Sequence, residues 1–113
     1  MEPRAKIWIE RDSRLVLSDY RVRLLRLIDE SGSLADAAKA MGLSYRRAWG
    51  KVKEIERNLG VPLLESAAGG PGGGGSHLTP EARRLVDRYE AFRTAAEADL
   101  TRNFRKSFED TPG

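Results

Sequence analysis

Apolar residues recur along this chain in two rhythms, and each change of rhythm marks an element. Ile7-Trp8-Ile9 and Leu15-Val16-Leu17 are short β-prone runs around the polar interval 10–14, which predicts an N-terminal hairpin. From Asp19 to Glu30 the spacing turns helical: Val22, Leu25 and Ile28, with Leu24 beside them, follow a Ser18 cap and stop at Ser31-Gly32. Ser33 caps a second helix, Leu34 to Met41, which is rich in alanine and ends at Gly42. Ser44 caps a third that runs to Leu59 and stops at Gly60. At 100° per residue this third helix collects Ala48, Val52, Ile55 and Leu59 on one stripe and Arg46, Gly50, Lys53 and Arg57 on the opposite one. Two capped helices joined by a short turn that holds a glycine carry the signature of a helix-turn-helix.

Beyond Gly60 the run Val61-Pro62-Leu63-Leu64-Glu65 predicts a strand, with Pro62 at its start or on an edge. Gly69 to Ser76 then reads G-G-P-G-G-G-G-S, before a second short strand signal at His77-Leu78. A P-loop would need Gly-Lys-Ser/Thr opening a helix, which this run lacks. A plain linker would fit the composition. Short β-prone runs on both sides favour a hairpin with a glycine tip, a wing. Thr79-Pro80 supplies an N-cap and first turn for a helix of up to 28 residues, Pro80 to Ser107, about 42 Å at the usual rise. Its stripe of Leu85, Tyr89, Phe92, Ala96, Leu100 and Phe104 extends past anything the preceding residues can cover, so these six are expected to form a dimer interface with a second copy of the helix.

The expected fold class is therefore mainly α with small β hairpins: a winged helix-turn-helix with a long C-terminal dimerisation helix. One domain is expected over residues 1–113, with 1–79 as core and wing and 80–107 as the dimerisation helix. Composition supports a surface-acting domain, because 113 residues that are 40% apolar supply one modest core without a buried catalytic cleft. The formal net charge is only +3, and the third helix, with five basic and two acidic side chains, carries that same value. Without cysteine there is neither a disulfide framework nor a thiolate metal site, and the lone His77 has no ligand cluster beside it, so no metal, cofactor or catalytic constellation is expected. Neither an export signal nor a membrane span is visible, and a cytoplasmic protein is expected.

In a helix-turn-helix the second helix enters the major groove of double-stranded DNA and its N-terminal residues reach base edges. That assigns base contact to Tyr45, Arg46, Arg47 and Gly50, with Arg suited to guanine and Gly50 allowing close approach. Lys51, Lys53 and Arg57 lie further along and suit phosphate, as do the helix N-termini at Ser33 and Ser44. Gly72, Gly73 and Gly74 at the wing tip would lie along the backbone. Trp49, at the flank of the apolar stripe, is expected in the core. The rival reading is a protein-interaction module that pairs with another regulator through the last helix.

The stretches S-G-S-L-A-D-A-A-K-A-M-G-L-S-Y-R-R-A-W, G-V-P-L-L-E and G-G-P-G-G-G-G-S-H-L-T-P-E-A-R-R-L resemble the N-terminal DNA-binding domain of the ModE family of molybdate-responsive regulators, over about Lys6 to Phe92. Ser44 to Trp49 and the glycine-rich wing are the specific parts. The general helix-turn-helix and G-V-P-L-L-E are similar to LysR-type regulators as well. The resemblance implies a recognition helix over Ser44 to Lys51, a wing over Gly69 to Ser76, a homodimer and a link to molybdenum-related genes. It departs at Ala68, where the family often has Thr, and in the absence of a following molybdate-binding region, so molybdate binding by this chain is not expected.

Overall fold

The computed structural model describes residues 1–66 and 75–110. Two strands, β1 (Trp8–Arg11) and β2 (Arg14–Ser18), pair antiparallel with an irregularity between Ile9 and Glu10. The turn between them is shorter than the polar interval suggests. Asp12 and Ser13 both take positive φ, 52° and 63°, which closes a two-residue hairpin matched to strand twist and draws Glu10, Arg11 and Arg14 into the ladder.

Helix α1 (Asp19–Ser31) starts where the Ser18 hydroxyl accepts from the Arg21 amide and ends at Gly32, whose φ of 71° suits glycine. Helix α2 (Leu34–Ala40) is capped by Ser33 and closes one residue earlier than the alanine pattern suggests, with Met41 as its C-cap. The Leu43 amide bonds back to the Ala38 carbonyl at 2.8 Å, and Gly42 (φ 68°) lets the chain reverse into helix α3 (Tyr45–Leu59). Val22, Leu24, Leu25 and Ile28 of α1 meet Leu34, Ala37 and Ala38 of α2 and Ala48, Val52 and Ile55 of α3 in one core, which Val16 and Leu17 close from the hairpin side.

Strand β3 is confined to Leu64–Ser66 and pairs with β4 (Ser76–Leu78), Leu64 opposite Leu78 and Ser66 opposite Ser76. The strand expected from Val61 starts three residues later. Pro62 has no amide to give, and the Leu63 amide and carbonyl are taken by Glu56 Oε1 (3.4 Å) and the Thr79 amide (2.9 Å). Helix α4 (Pro80–Phe108) opens on the Thr79 cap. Ala82, Val86 and Tyr89 are buried, and no residue of α4 beyond Tyr89 is.

Tyr89 corrects an expectation. Grouped with the interface stripe by its spacing, it is instead 2% exposed in the chain's own core. Its hydroxyl donates to Asp19 Oδ1 (2.5 Å) and lies 3.1 Å from the Ile7 carbonyl, tying α4 to the first turn of α1 and to the segment before β1. Burial first, and Asp19 second, raise its pKa well above the ordinary phenol value. The outer part of the stripe is open to different degrees: Phe92 is 51% exposed, Ala96, Leu100 and Phe104 are half-buried, and the Phe104 ring stacks on Phe108 at 4.9 Å.

Candidate nucleic-acid interface

The exposed side of α3 is held outward by what its other sides touch. Ser44 Oγ accepts from the Arg47 amide at 3.2 Å, which fixes the first turn. On one flank Glu54 pairs with Arg21 of α1 at 3.1 Å, and Lys51 Nζ lies 5.2 Å from the Tyr20 ring centre. Arg21 itself is 8% exposed and also donates to the Leu15 carbonyl at 2.8 Å, so it joins α1, α3 and β2. On the other flank Glu56 accepts from the Leu63 amide and pairs with Lys53 at 3.4 Å.

Both acids of α3 are thus spent on partners inside the protein. Arg46, Arg47 and Arg57 form no ion pair among the described residues, and all three are exposed. The outward face is accordingly more basic than the composition of the helix alone suggests. Tyr45, Arg46, Arg47 and Gly50 share its N-terminal half, and Tyr45 is 56% exposed. Lys51 and Lys53 stand half-buried at its two edges, and Arg57 extends it towards the C-terminus. Ser33 and Ser44 each cap a helix, accepting from Asp36 and Arg47 amides. Gly72, Gly73 and Gly74 lie outside the described residues.

Trp49 departs from the expected core position. It is 48% exposed, and its ring lies under Lys53 Nζ at 5.0 Å. The centre of the buried stripe sits about 90° round the helix from it, too far for the indole to turn inward past Val52. Arg11 and Arg14 were not singled out by the sequence. The Arg11 guanidinium donates to the Leu59 carbonyl at 2.7 Å, closing the end of α3, and with Asp12, Arg14, Arg57, Asn58 and Gly60 it lines a shallow cleft in which three guanidinium groups face one carboxylate. Only the hairpin's packing on α3 brings them there, a signal that periodicity does not carry.

The stem of the β3–β4 hairpin is anchored on α1 and its end. Ser76 donates its amide to the Gly32 carbonyl at 2.9 Å. A Cβ on Gly75 would stand 2.5 Å from that same carbonyl oxygen, so the close approach requires glycine there. Asp29 of α1 accepts from the Leu78 amide at 3.1 Å and from Arg83 of α4 at 2.8 and 3.1 Å. The Arg83 guanidinium is the main reason its carboxyl stays below the usual carboxylate range. Among the described residues no group of His or acidic side chains could hold a metal ion, and no helix is long and apolar enough to cross a membrane.

The chain is 37% identical over 109 residues to the molybdenum transport protein ModE of Azotobacter vinelandii, covering 96% of this chain and 40% of that protein. It is 40% identical over 92 residues to the molybdenum-pterin-binding protein MopB of Rhodobacter capsulatus, covering 81% of this chain and 34% of the relative. The chain thus spans well under half the length of these relatives. In fold it matches the DNA-binding domain of CbnR in its DNA complex, with a TM-score of 0.60 at 21% identity, over 80% of this chain and 99% of that one. The pattern of the bacterial regulatory helix-turn-helix proteins of the lysR family matches residues 20–83, from the start of α1 into α4, and the chain belongs to that family.

Proposed function

We propose that this chain is the DNA-binding part of a transcription regulator of the ModE kind, reading double-stranded DNA through α3 and connected to molybdenum-related genes. The observation that carries the reading is the face of α3, basic because Glu54 and Glu56 are turned to internal partners, in second position of a helix-turn-helix. Tyr45, Arg46, Arg47 and Gly50 contact bases, while Lys51, Lys53, Arg57 and the helix starts at Ser33 and Ser44 contact phosphate. The molybdenum connection rests on the names of the relatives. Selection of bound sequences from random duplexes tests the reading. A defined motif, recovered again without molybdate, is the expected result, and recovery of unrelated sequences at every round refutes it.

The regulator acts as a homodimer on a two-fold site. Phe92, Ala96, Leu100 and Phe104 support this, since α4 carries them beyond the core and Phe92 is half open to solvent, and Leu85, half-buried within the core part of the helix, would extend the same surface. Pairing with a different regulator through the same surface is the second reading, favoured by the same exposed Phe92. Sedimentation of the chain distinguishes the two: a concentration-dependent dimer supports self-pairing, and a monomer at all concentrations supports a foreign partner.

A further inference from the structure

Two adjacent residues of α3 are not accounted for by the packing of the core. Trp49, the largest side chain of the helix, leaves half its surface in water and belongs neither to the core nor to the apolar residues packed against it. Gly50 follows it in mid-helix, where glycine is unfavourable, and a Cβ there would meet nothing within 4 Å, so no neighbour demands its absence. Departures of this kind from what stability alone would select, side by side on one face, mark a contact made with something else.

Their surroundings say what the contact is. Tyr45, Trp49 and Lys53 succeed one another four residues apart and form a ridge along α3 on its wing-side flank, the flank from which Glu56 reaches the Leu63 amide. Lys53 lies over the indole ring. Gly50 makes a notch one position towards the centre of the exposed face, between Arg46 and Arg57. A knob of apolar surface beside a notch, edged by cations on both sides, is complementary to a methyl group beside a phosphodiester strand. In the major groove that methyl is the C5-methyl of thymine.

We infer that Trp49 is a specificity-determining residue that packs on a thymine methyl, with Gly50 admitting the neighbouring strand; this rests on the DNA-binding reading above. The contact adds sequence preference without releasing counterions, so it contributes affinity that salt does not screen.

The test uses the tightest duplex from the random-sequence selection, with each thymine replaced in turn by deoxyuridine, which removes only the methyl. At one position of each half-site the unsubstituted protein is expected to lose about fourfold in affinity, the loss for one buried methyl-sized group. Trp49→Ala is expected to weaken binding to the parent duplex about tenfold, as for withdrawal of ~60 Å² of apolar contact, with an unchanged salt slope. On Trp49→Ala the same deoxyuridine duplex and its parent are expected to bind equally. Trp49→Phe, checked for native circular dichroism alongside, covers the event that the alanine variant unfolds, and is expected to keep a reduced deoxyuridine penalty. A full deoxyuridine penalty in either folded variant, or no penalty at any thymine with the unsubstituted protein, overturns the inference and leaves DNA binding standing. Failure of the unsubstituted protein to bind any duplex overturns the DNA-binding reading itself.

Discussion

Replacing Asp29 by Ala removes the acceptor that joins α1 to β4 and to α4. Leu78, whose amide it satisfies at 3.1 Å, is completely buried, so the variant takes the partner from a buried N–H. An orphaned buried donor costs about 1 to 3 kcal/mol, and about 2 kcal/mol is expected here. The pair with Arg83 adds little, because that guanidinium is nearly half exposed and water replaces the carboxylate. In a chain of 113 residues about 2 kcal/mol corresponds to a fall in Tm of roughly 8 °C. Asp29→Asn separates the contributions, since its amide oxygen still accepts from Leu78; it is expected to lose less than about half as much. Urea unfolding followed by circular dichroism at pH 7 measures both. Because the folded carboxyl is held below its ordinary range, its contribution is complete above the unfolded value and fades as pH falls through the folded one. Equal losses for Ala and Asn would refute the reasoning, for they would place the energy in the ion pair and not in the Leu78 amide.

Arg46→Ala is expected to weaken specific DNA binding by about 1 to 3 kcal/mol and to relax preference at one base position, whereas Lys53→Ala weakens specific and non-specific binding about equally and makes the salt slope shallower by about 1; titrations at several salt concentrations decide. Gly50→Ala should stabilise the free protein by about 1 kcal/mol in thermal unfolding, since the added methyl meets no atom within 4 Å, and should still weaken operator binding. Tyr89→Phe removes a buried hydroxyl that Asp19 and the Ile7 carbonyl share, and is expected to cost about 1 to 2 kcal/mol in the same assay. The wild-type phenol is held neutral in the folded state, so stability should fall as pH rises above about 10, where the unfolded chain ionises, and that slope should be weaker in Tyr89→Phe.

Local chemistry made the helix boundaries legible. Ser18, Ser33, Ser44 and Thr79 each cap the helix expected of them, and Gly32 and Gly60 end α1 and α3 in the left-handed conformation that favours glycine. Those signals act within one turn, so a single sequence contains them entire. Trp49 and Tyr89 were misplaced for a common reason: each sits where the periodicity of its own helix is ambiguous, and a neighbouring element decides. Tyr89 is drawn inward by Asp19 at the start of α1, 70 residues away, and Trp49 stays out because Ala48 and Val52 already fill the space beneath α3. Arg11 escaped notice because its partner, the Leu59 carbonyl, is 48 residues distant and has no side-chain signature. Which charges of α3 face outward was only half legible, since the sequence shows Glu54 and Glu56 but not that Arg21 and the Leu63 amide claim them.

The anchoring of Ser76 and Gly75 on Gly32 has a consequence for how this protein can diversify. The returning strand is located by α1 and its end, through Asp29 and the Gly32 carbonyl. Variation at Asp29, Gly32 or Gly75 therefore displaces β4 and the start of α4 together, whereas Ser44 and Gly60, which bound α3, make none of these contacts. The seat of β4 and the two ends of α3 can in this way vary independently.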